Sequence, residues 1–361
     1  MQHHRTIDED TLRIMDYVDA IRATQDISRE QLKAIISTPS PGATEYLHAQ
    51  AREVAQGIYG RNIYMRGLIE ITNHCKNDCY YCGIRRSNTS LTRYRLSTAA
   101  ILACCRTGYA CGMRTFVLQG GEDVYFTDAA LVPLVECIRQ QFPDCAITLS
   151  LGERSKESYR RLHDAGADRY LLRHETADAA HYAILHPAEM SWMHRMQCLQ
   201  ELREIGYQVG AGFMVGSPRQ TLDTLYKDMQ FIRIFRPEMC GIGPFVATRN
   251  TPFANSPSGT VAETLRLLSL LRLLCPSVLL PATTALGSLD PQGREKGILA
   301  GANVVMPNLS PPEDRKLYNI YDNKLSSGDD VAVYRDELSH RFAAIGYNLA
   351  VDRGDHKNKE E

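Results

Sequence analysis

The sequence predicts an α/β fold, a (β/α)8 TIM-type barrel carrying an N-terminal helical extension. From residue 67 onward, short β-rich runs alternate with amphipathic helical stretches, the pattern of parallel βα units. Eight such runs can be placed, which argues for a closed barrel over a doubly wound sheet. Polar and glycine-rich insertions follow the ends of the runs, where the loops of a parallel barrel converge on one mouth. A chain of 361 residues is long enough for one such barrel and its extension. The expected organisation is a helical extension over 1–60, the barrel over 61–350 and a disordered tail over 351–361.

Residues 8–60 read as helices. In SREQLKAII, Ser28 and Gln31 have the spacing of a capping box, and TEYLHAQAREVAQGIYG keeps apolar residues at helical spacing until Gly60 stops it. The expected strands are 67–72, 115–119, 146–151, 169–174, 208–215, 240–245, 277–283 and 302–307. Helical stretches such as DAALVPLVECIRQQF, WMHRMQCLQELREIG and AETLRLLSLLRLLC lie between them. After Asn308 a Pro-rich loop leads to KLYNIY (316–321) and a terminal helix near YRDELSHRFAAIG. The closing DRGDHKNKEE is charged and lacks apolar anchors, hence the expected disorder.

Lys plus Arg (41) nearly balances Asp plus Glu (42), so there is no broad basic surface of the kind nucleic-acid binding requires, and no nucleic-acid partner is expected. MQHHRTIDED lacks the apolar core of a signal peptide, and no stretch approaches the roughly 20 apolar residues of a membrane span. A cytoplasmic protein without a membrane partner is expected. In that setting cysteines serve ligation or burial rather than disulfides. Cys104, Cys105, Cys111, Cys137, Cys145, Cys198, Cys240 and Cys275 show no second ligand spacing and read as small core residues.

The chemistry concentrates in Arg66 to Asn88, where Cys75, Cys79 and Cys82 form a C-x3-C-x2-C spacing with Tyr81 and Gly83 flanking the last cysteine. A structural zinc site wants four closed ligands, and an electron-transfer cluster normally wants four cysteines. Three thiolates on a 4Fe-4S cube leave one iron open, which the amino and carboxylate groups of S-adenosylmethionine can chelate. An electron passed into the sulfonium then cleaves its bond to the 5′ carbon. A zinc site completed by His74, or three scattered core cysteines, are the plainer alternatives.

The cofactor's amine needs an acceptor, which Gly120, Gly121 and Glu122 can supply as a close backbone followed by a carboxylate, a solvated βα loop being the other reading. Its carboxylate needs a cation: Arg173 is the first candidate and Arg195 the second, an exposed surface position being the other reading for Arg195. Glu175 is placed to accept the ribose hydroxyls or the amine, Tyr81 and residues 241–245 to flank the adenine, and Met214 to lie under the sugar unless it is only core packing.

With RGLIE, the cysteine motif followed by G-x-R-R-x-N, VLQGGED, TLSLGE, GADRYLLRHETA, MVGSP, GIGPF, TPFAN, PATTA, GRE, GANVVMPN and LYNIY, the chain resembles the radical S-adenosylmethionine enzymes. Among these it is most similar to the HydE family of FeFe-hydrogenase maturases, from about Arg66 to Tyr321. The resemblance implies a barrel around a long cavity, with the 4Fe-4S cluster on Cys75, Cys79 and Cys82 and S-adenosylmethionine held by Glu122, Arg173, Glu175 and Arg195. It implies that Thr148, Arg169, Thr283, Thr284, Met306, Tyr318 and Tyr321 line the cavity or its anion-binding part. Arg169 and the two threonine hydroxyls are the donors a buried cyanide or carboxylate would need, ordinary β-strand usage being the other reading for the threonines.

The implied substrate is an iron carbonyl cyanide complex carrying cysteine, supplied by a sister maturase. Implied partners are other hydrogenase maturases in transient contact and an electron donor such as ferredoxin or flavodoxin. Some members carry further cluster cysteines near the C-terminus, whereas residues 308–361 here contain none. The alternatives are a methylornithine synthase-like mutase acting on lysine, biotin synthase, whose second cluster finds no ligands among these strands, and a noncatalytic carrier of assembled cofactor.

Overall fold

The structure is a computed structural model that describes residues 8–37, 40–325 and 330–357. Residues 1–7 of the start expected to lack a signal peptide, and the last four residues of the tail, lie outside the described residues. Among the described residues there are eleven strands: β1 (Asn62–Met65), β2 (Gly67–Thr72), β3 (Thr115–Gly120), β4 (Ala146–Ser150), β5 (Arg169–Leu171), β6 (Gln208–Ala211), β7 (Met214–Val215), β8 (Met239–Cys240), β9 (Gly243–Pro244), β10 (Val304–Val305) and β11 (Asn348–Ala350).

The main sheet runs β2-β3-β4-β5-β6-β8, parallel throughout. Two further staves close it into a ring. Leu279 lies beside Met239 and exchanges bonds with Glu238 O (2.9 Å) and Cys240 N (3.0 Å). Pro281 faces Val304, with Ala282 N donating to Val304 O at 2.9 Å. The ring returns to its start where Leu68 N donates to Pro307 O (2.8 Å) and Leu309 N to Leu68 O (2.7 Å). The expected barrel of eight staves is therefore present.

The details depart from the sequence expectation. The 277–283 stave is held by bridges rather than a regular ladder, and 208–215 and 240–245 are each broken into two short strands. The break comes from a close approach: a Cβ on Gly212 would lie 2.0 Å from the carbonyl oxygen of Gly241. β1 and β11 were not expected; β1 pairs in parallel with β10 on one side and β11 on the other.

The capping box forms, with Ser28 N donating to Gln31 Oε1 (2.8 Å) and Gln31 N to Ser28 Oγ (3.1 Å), and opens the helix Arg29–Ser37. Gly60, at φ 63°, ends the helix Pro41–Tyr59. These helices and Glu9–Thr24 cover the helix Val261–Leu274, in which every residue from Leu267 to Leu274 is buried. An apolar surface on all sides of that helix is stable only because the barrel lies on one side and the extension on the other. Each of its leucines contributes about 1.5–3 kcal/mol through burial. Six of the eight cysteines read as core are buried; Cys111 and Cys137 are only partly so, and none of the eleven is in a disulfide.

The tail corrects another expectation. Residues 351–357 of the tail expected to be disordered lie across the barrel floor, the N-terminal end of the strands. Arg353 O accepts from Thr115 Oγ1 (2.7 Å) and Arg169 Nη2 (3.0 Å), Arg353 pairs with Asp168 (3.0 Å), and Asp355 pairs with Arg169 (2.6 Å). Gly354 sits on Tyr64, where a Cβ would come within 2.6 Å of the ring. Composition shows a charged tail but not the buried arginines that await it. Among the described residues no helix is long and apolar enough to cross a membrane.

Candidate active site at the barrel mouth

A cavity of about 370 Å³ opens at the C-terminal ends of the strands, and Cys75, Cys79 and Cys82 line it together. The loop that carries them follows β2 and is held by backbone capture. Arg93 donates to the carbonyls of Asn73, Ile84 (2.8 Å), Arg85 (2.7 Å) and Asn88 (3.1 Å). Asp78 accepts from Arg85 Nε (2.7 Å), Ser87 N (2.9 Å) and Ser87 Oγ (2.7 Å); these bonds outweigh its partial burial and keep the carboxyl well below the usual range. Two glycines allow close approach: a Cβ on Gly121 would lie 2.2 Å from His74 O and 2.7 Å from Cys75 Cβ, and one on Gly83 would lie 2.1 Å from Asn319 O.

Burial pushes all three thiols up, Cys82 to about 12. Such thiols become thiolates against a bound cation, so loading them releases protons. Among the described residues no three His, Cys, Asp or Glu side chains converge on a point that would hold a single ion.

Beside the cysteines the cavity wall carries polar atoms without partners. Arg173 Nε and Nη2, Glu175 Oε2, Glu122 Oε2 and Thr283 Oγ1 are buried and make no hydrogen bond. Arg173 Nη2 is 3.2 Å from Glu175 Oε2, and Lys76 Nζ is 3.2 Å from Glu122 Oε2, close in charge but not aligned as hydrogen bonds. Cation and carboxylate atoms on one wall whose hydrogen-bonding capacity is unfilled suit a ligand that carries both an amine and a carboxylate. The other Glu122 oxygen accepts from Glu153 N at 2.9 Å, and Gly152 makes room: a Cβ there would overlap the Glu122 side chain at 1.9 Å.

Arg195 lies inside the site, not on the surface. It is 6% exposed and donates to Glu153 Oε1 and to Arg173 O, both at 2.6 Å. Glu175 has φ 64°, a left-handed backbone that costs a non-glycine residue about 1 kcal/mol or more. Its N–H donates to Gly212 O at 3.0 Å. The neighbouring His174 accepts from Gly212 N at Nδ1 (3.2 Å) and turns Nε2 towards Asp228 (3.4 Å), which also accepts from Ala177 N (2.5 Å). His174 and Asp228, both fully buried, thereby pin the turn that presents Glu175.

Tyr81 OH lies 3.1 Å from His186 Nε2. His186 is held down to about 3 by burial and then by Arg195, and stays neutral. Met214 packs with Leu185 and Phe245, with Tyr81 against them, as an apolar surface beside the cysteines.

Further along the cavity lie Met306, Tyr318, Tyr321, Thr283 and Thr284. Thr283 ends the 277–283 stave and caps the helix Thr284–Leu289 without a side-chain cap bond. Burial pushes Tyr321 up to about 12. Thr148 and Arg169 do not line this cavity. They border a separate void of about 10 Å³ at the floor, with Arg66. Arg169 is the first residue of β5 and belongs to the opposite end of the strand from the mouth, where it donates to Gln208 Oε1 (3.0 Å) and Thr115 Oγ1 (3.1 Å) and pairs with Asp355. Arg173, four residues on, reaches the mouth. Sequence reasoning missed Glu70, Gln119 and Lys324, all of which line the main cavity. A glutamate inside the apolar run GLIEIT was the available signal.

The radical SAM superfamily model matches residues 69–232. The [FeFe] hydrogenase maturase subunit HydE of Thermotoga maritima is 42% identical over 301 residues, covering 83% of this chain and 86% of that protein. The chain belongs to the radical SAM superfamily and, within it, to the HydE family. It is an enzyme of the radical SAM type, whose cofactors are a 4Fe-4S cluster and S-adenosylmethionine. More distant is 3-methylornithine synthase of Methanosarcina acetivorans, 27% identical over 84% of this chain and 85% of that protein. The crystal structure of methylornithine synthase superposes with a TM-score of 0.81 at 24% identity, covering 92% of this chain and 97% of that one. The maturase HydG superposes at 0.76 with 19% identity, covering 95% and 76%. Both show the radical SAM barrel fold. The three thiols and the unpartnered Arg173, Glu175 and Glu122 atoms fit the two cofactors of this family.

Proposed function

We propose that this HydE-family chain acts in assembly of the FeFe-hydrogenase active site, on an iron carbonyl cyanide complex that carries cysteine and comes from a sister maturase. The observation that carries this reading is a single cavity that runs from the three cysteines to a polar interior, in a chain 42% identical to a HydE maturase over most of its length. When bound, the cluster and S-adenosylmethionine supply a 5′-deoxyadenosyl radical at the mouth. Cys75, Cys79 and Cys82 hold the cluster; Arg173 takes the cofactor's carboxylate, and Glu122 and Glu175 accept its amine and hydroxyls. Arg195 orients Arg173 and Glu153. Tyr81, Met214 and Phe245 exclude water from the adenosyl side. Thr283 and Tyr318 offer donors to the substrate. The protein works in the cytoplasm, is reduced by a ferredoxin or flavodoxin, and meets its sister maturases transiently.

Anaerobic reconstitution tests this. Wild type should bind about four irons and form 5′-deoxyadenosine under reductant, and it should consume the iron complex but not lysine. Cys79→Ala should lose iron and cleavage yet retain the folded barrel, because the ligand loop projects beyond the strands. Lysine consumption in place of the complex would make the chain a mutase; zinc, or retained cleavage in Cys79→Ala, would overturn the ligand assignment.

A further inference from the structure

Glu70 and Lys324, 254 residues apart, meet on the wall of the main cavity. Glu70 is fully buried in β2, five residues before the first cluster cysteine, so it faces the cavity below the mouth. Its Oε1 accepts from Lys324 Nζ and its Oε2 from Asn308 Nδ2 at 2.8 Å. Lys324 is 11% exposed, also donates to Tyr318 O at 3.1 Å, and holds its ammonium 4.7 Å from the centre of the Tyr318 ring. Burial pushes the Glu70 carboxyl up, and the charge of Lys324 opposes it.

A buried ion pair is weak evidence for stability, because desolvation of the two charges consumes most of their attraction. On a cavity wall the pair offers a neutral, dipolar surface. A simple anion that took Lys324 would leave Glu70 buried without a cation, and a simple cation at Glu70 would strand Lys324. A zwitterion satisfies both, since its ammonium replaces Lys324 at Glu70 while its carboxylate takes Lys324, with no net buried charge. The flexible four-carbon stem of lysine permits that exchange.

We propose that Glu70 and Lys324 form the clamp for the zwitterionic head of an α-amino acid substrate. This rests on the proposed function insofar as it assigns the head to the cysteine of the iron complex. The test uses iron-loaded protein with S-adenosylmethionine bound and measures probe affinity by calorimetry and by the perturbation of the reduced cluster's EPR spectrum. The probes are L-cysteine against cysteamine, which lacks the carboxylate, and 3-mercaptopropionate, which lacks the ammonium, and L-lysine against cadaverine.

Wild type should favour one intact amino acid over its truncated analogues by about tenfold or more, the scale of a charged hydrogen bond. Lys324→Met should lose the discrimination against the missing carboxylate, and Glu70→Gln that against the missing ammonium, with iron content and melting temperature reported for each variant. Discrimination in the lysine series alone leaves the clamp standing and removes the cysteine-complex reading. No discrimination by wild type in either series, no binding of any probe, or unchanged discrimination in both variants overturns the clamp.

Discussion

The floor of the barrel gives the sharpest stability prediction, because it depends on a tail whose composition alone predicts disorder. Arg169 is 4% exposed at its side chain, and Asp355 is the carboxylate paired with it. Burial pulls Asp355 up, but the bonds and charges of Arg353 and Arg169 overcome this and hold it at about 2, against 3.8 for a free aspartate. That difference corresponds to about 2.5 kcal/mol. The carboxylate is 41% exposed, so solvent screening reduces it to about 1 kcal/mol. Stranding the cation costs more: removing one partner of a buried pair destabilises by about 3–5 kcal/mol, lessened here because Arg169 keeps Gln208, Thr115 and the Arg353 carbonyl.

Asp355→Ala should therefore lose about 2 kcal/mol at pH 7, a fall of about 3 °C in melting temperature for a chain of this size. The exposed Asp336→Ala, whose partner is the adjacent Arg335, should stay within about 0.5 kcal/mol. The folded pKa lies below the unfolded one, so the carboxylate's contribution is complete above about 4 and is lost as pH falls towards 2. Thermal unfolding across that range should show the wild-type advantage shrinking. A variant that melts with the Asp336 control at pH 7 would refute the pairing.

Three further outcomes are expected. Gly121→Ala, which drives a Cβ into His74 O and the Cβ of Cys75 while keeping all three thiols, should lower iron per chain after reconstitution; full iron would show that the loop can yield. Arg173→Lys should weaken S-adenosylmethionine binding to the iron-loaded protein by tenfold or more, about 1.5–3 kcal/mol, since a point charge cannot replace the planar fork; equilibrium dialysis reads this, and an unchanged Kd removes Arg173 from the cofactor. His48, bonded to Ser269 Oγ at 2.7 Å, is held down to about 4 by burial, so the unfolded chain binds its proton first and stability falls as pH drops from about 6.5 to 4. His48→Gln should flatten that slope by about 2 kcal/mol, and an equal slope in melts at pH 7 and 5 would clear His48 of the effect.

The sequence by itself determined what local pattern encodes: eight βα units, the capping box at Ser28, the stop at Gly60 and three cysteines spaced to face one mouth. Each of these follows from periodicity, turn chemistry or ligand spacing within a few residues of chain. Only the tertiary structure decided which end of β5 an arginine serves, sending Arg173 to the mouth and Arg169 to the floor four residues away. It also brought Arg195 inward onto Glu153, split two strands where Gly212 meets Gly241, placed Lys324 against Glu70, and tied Asp355 to Arg169. Those facts turn on which buried charge finds its partner across the barrel. Such pairing acts through space and leaves no period along the chain.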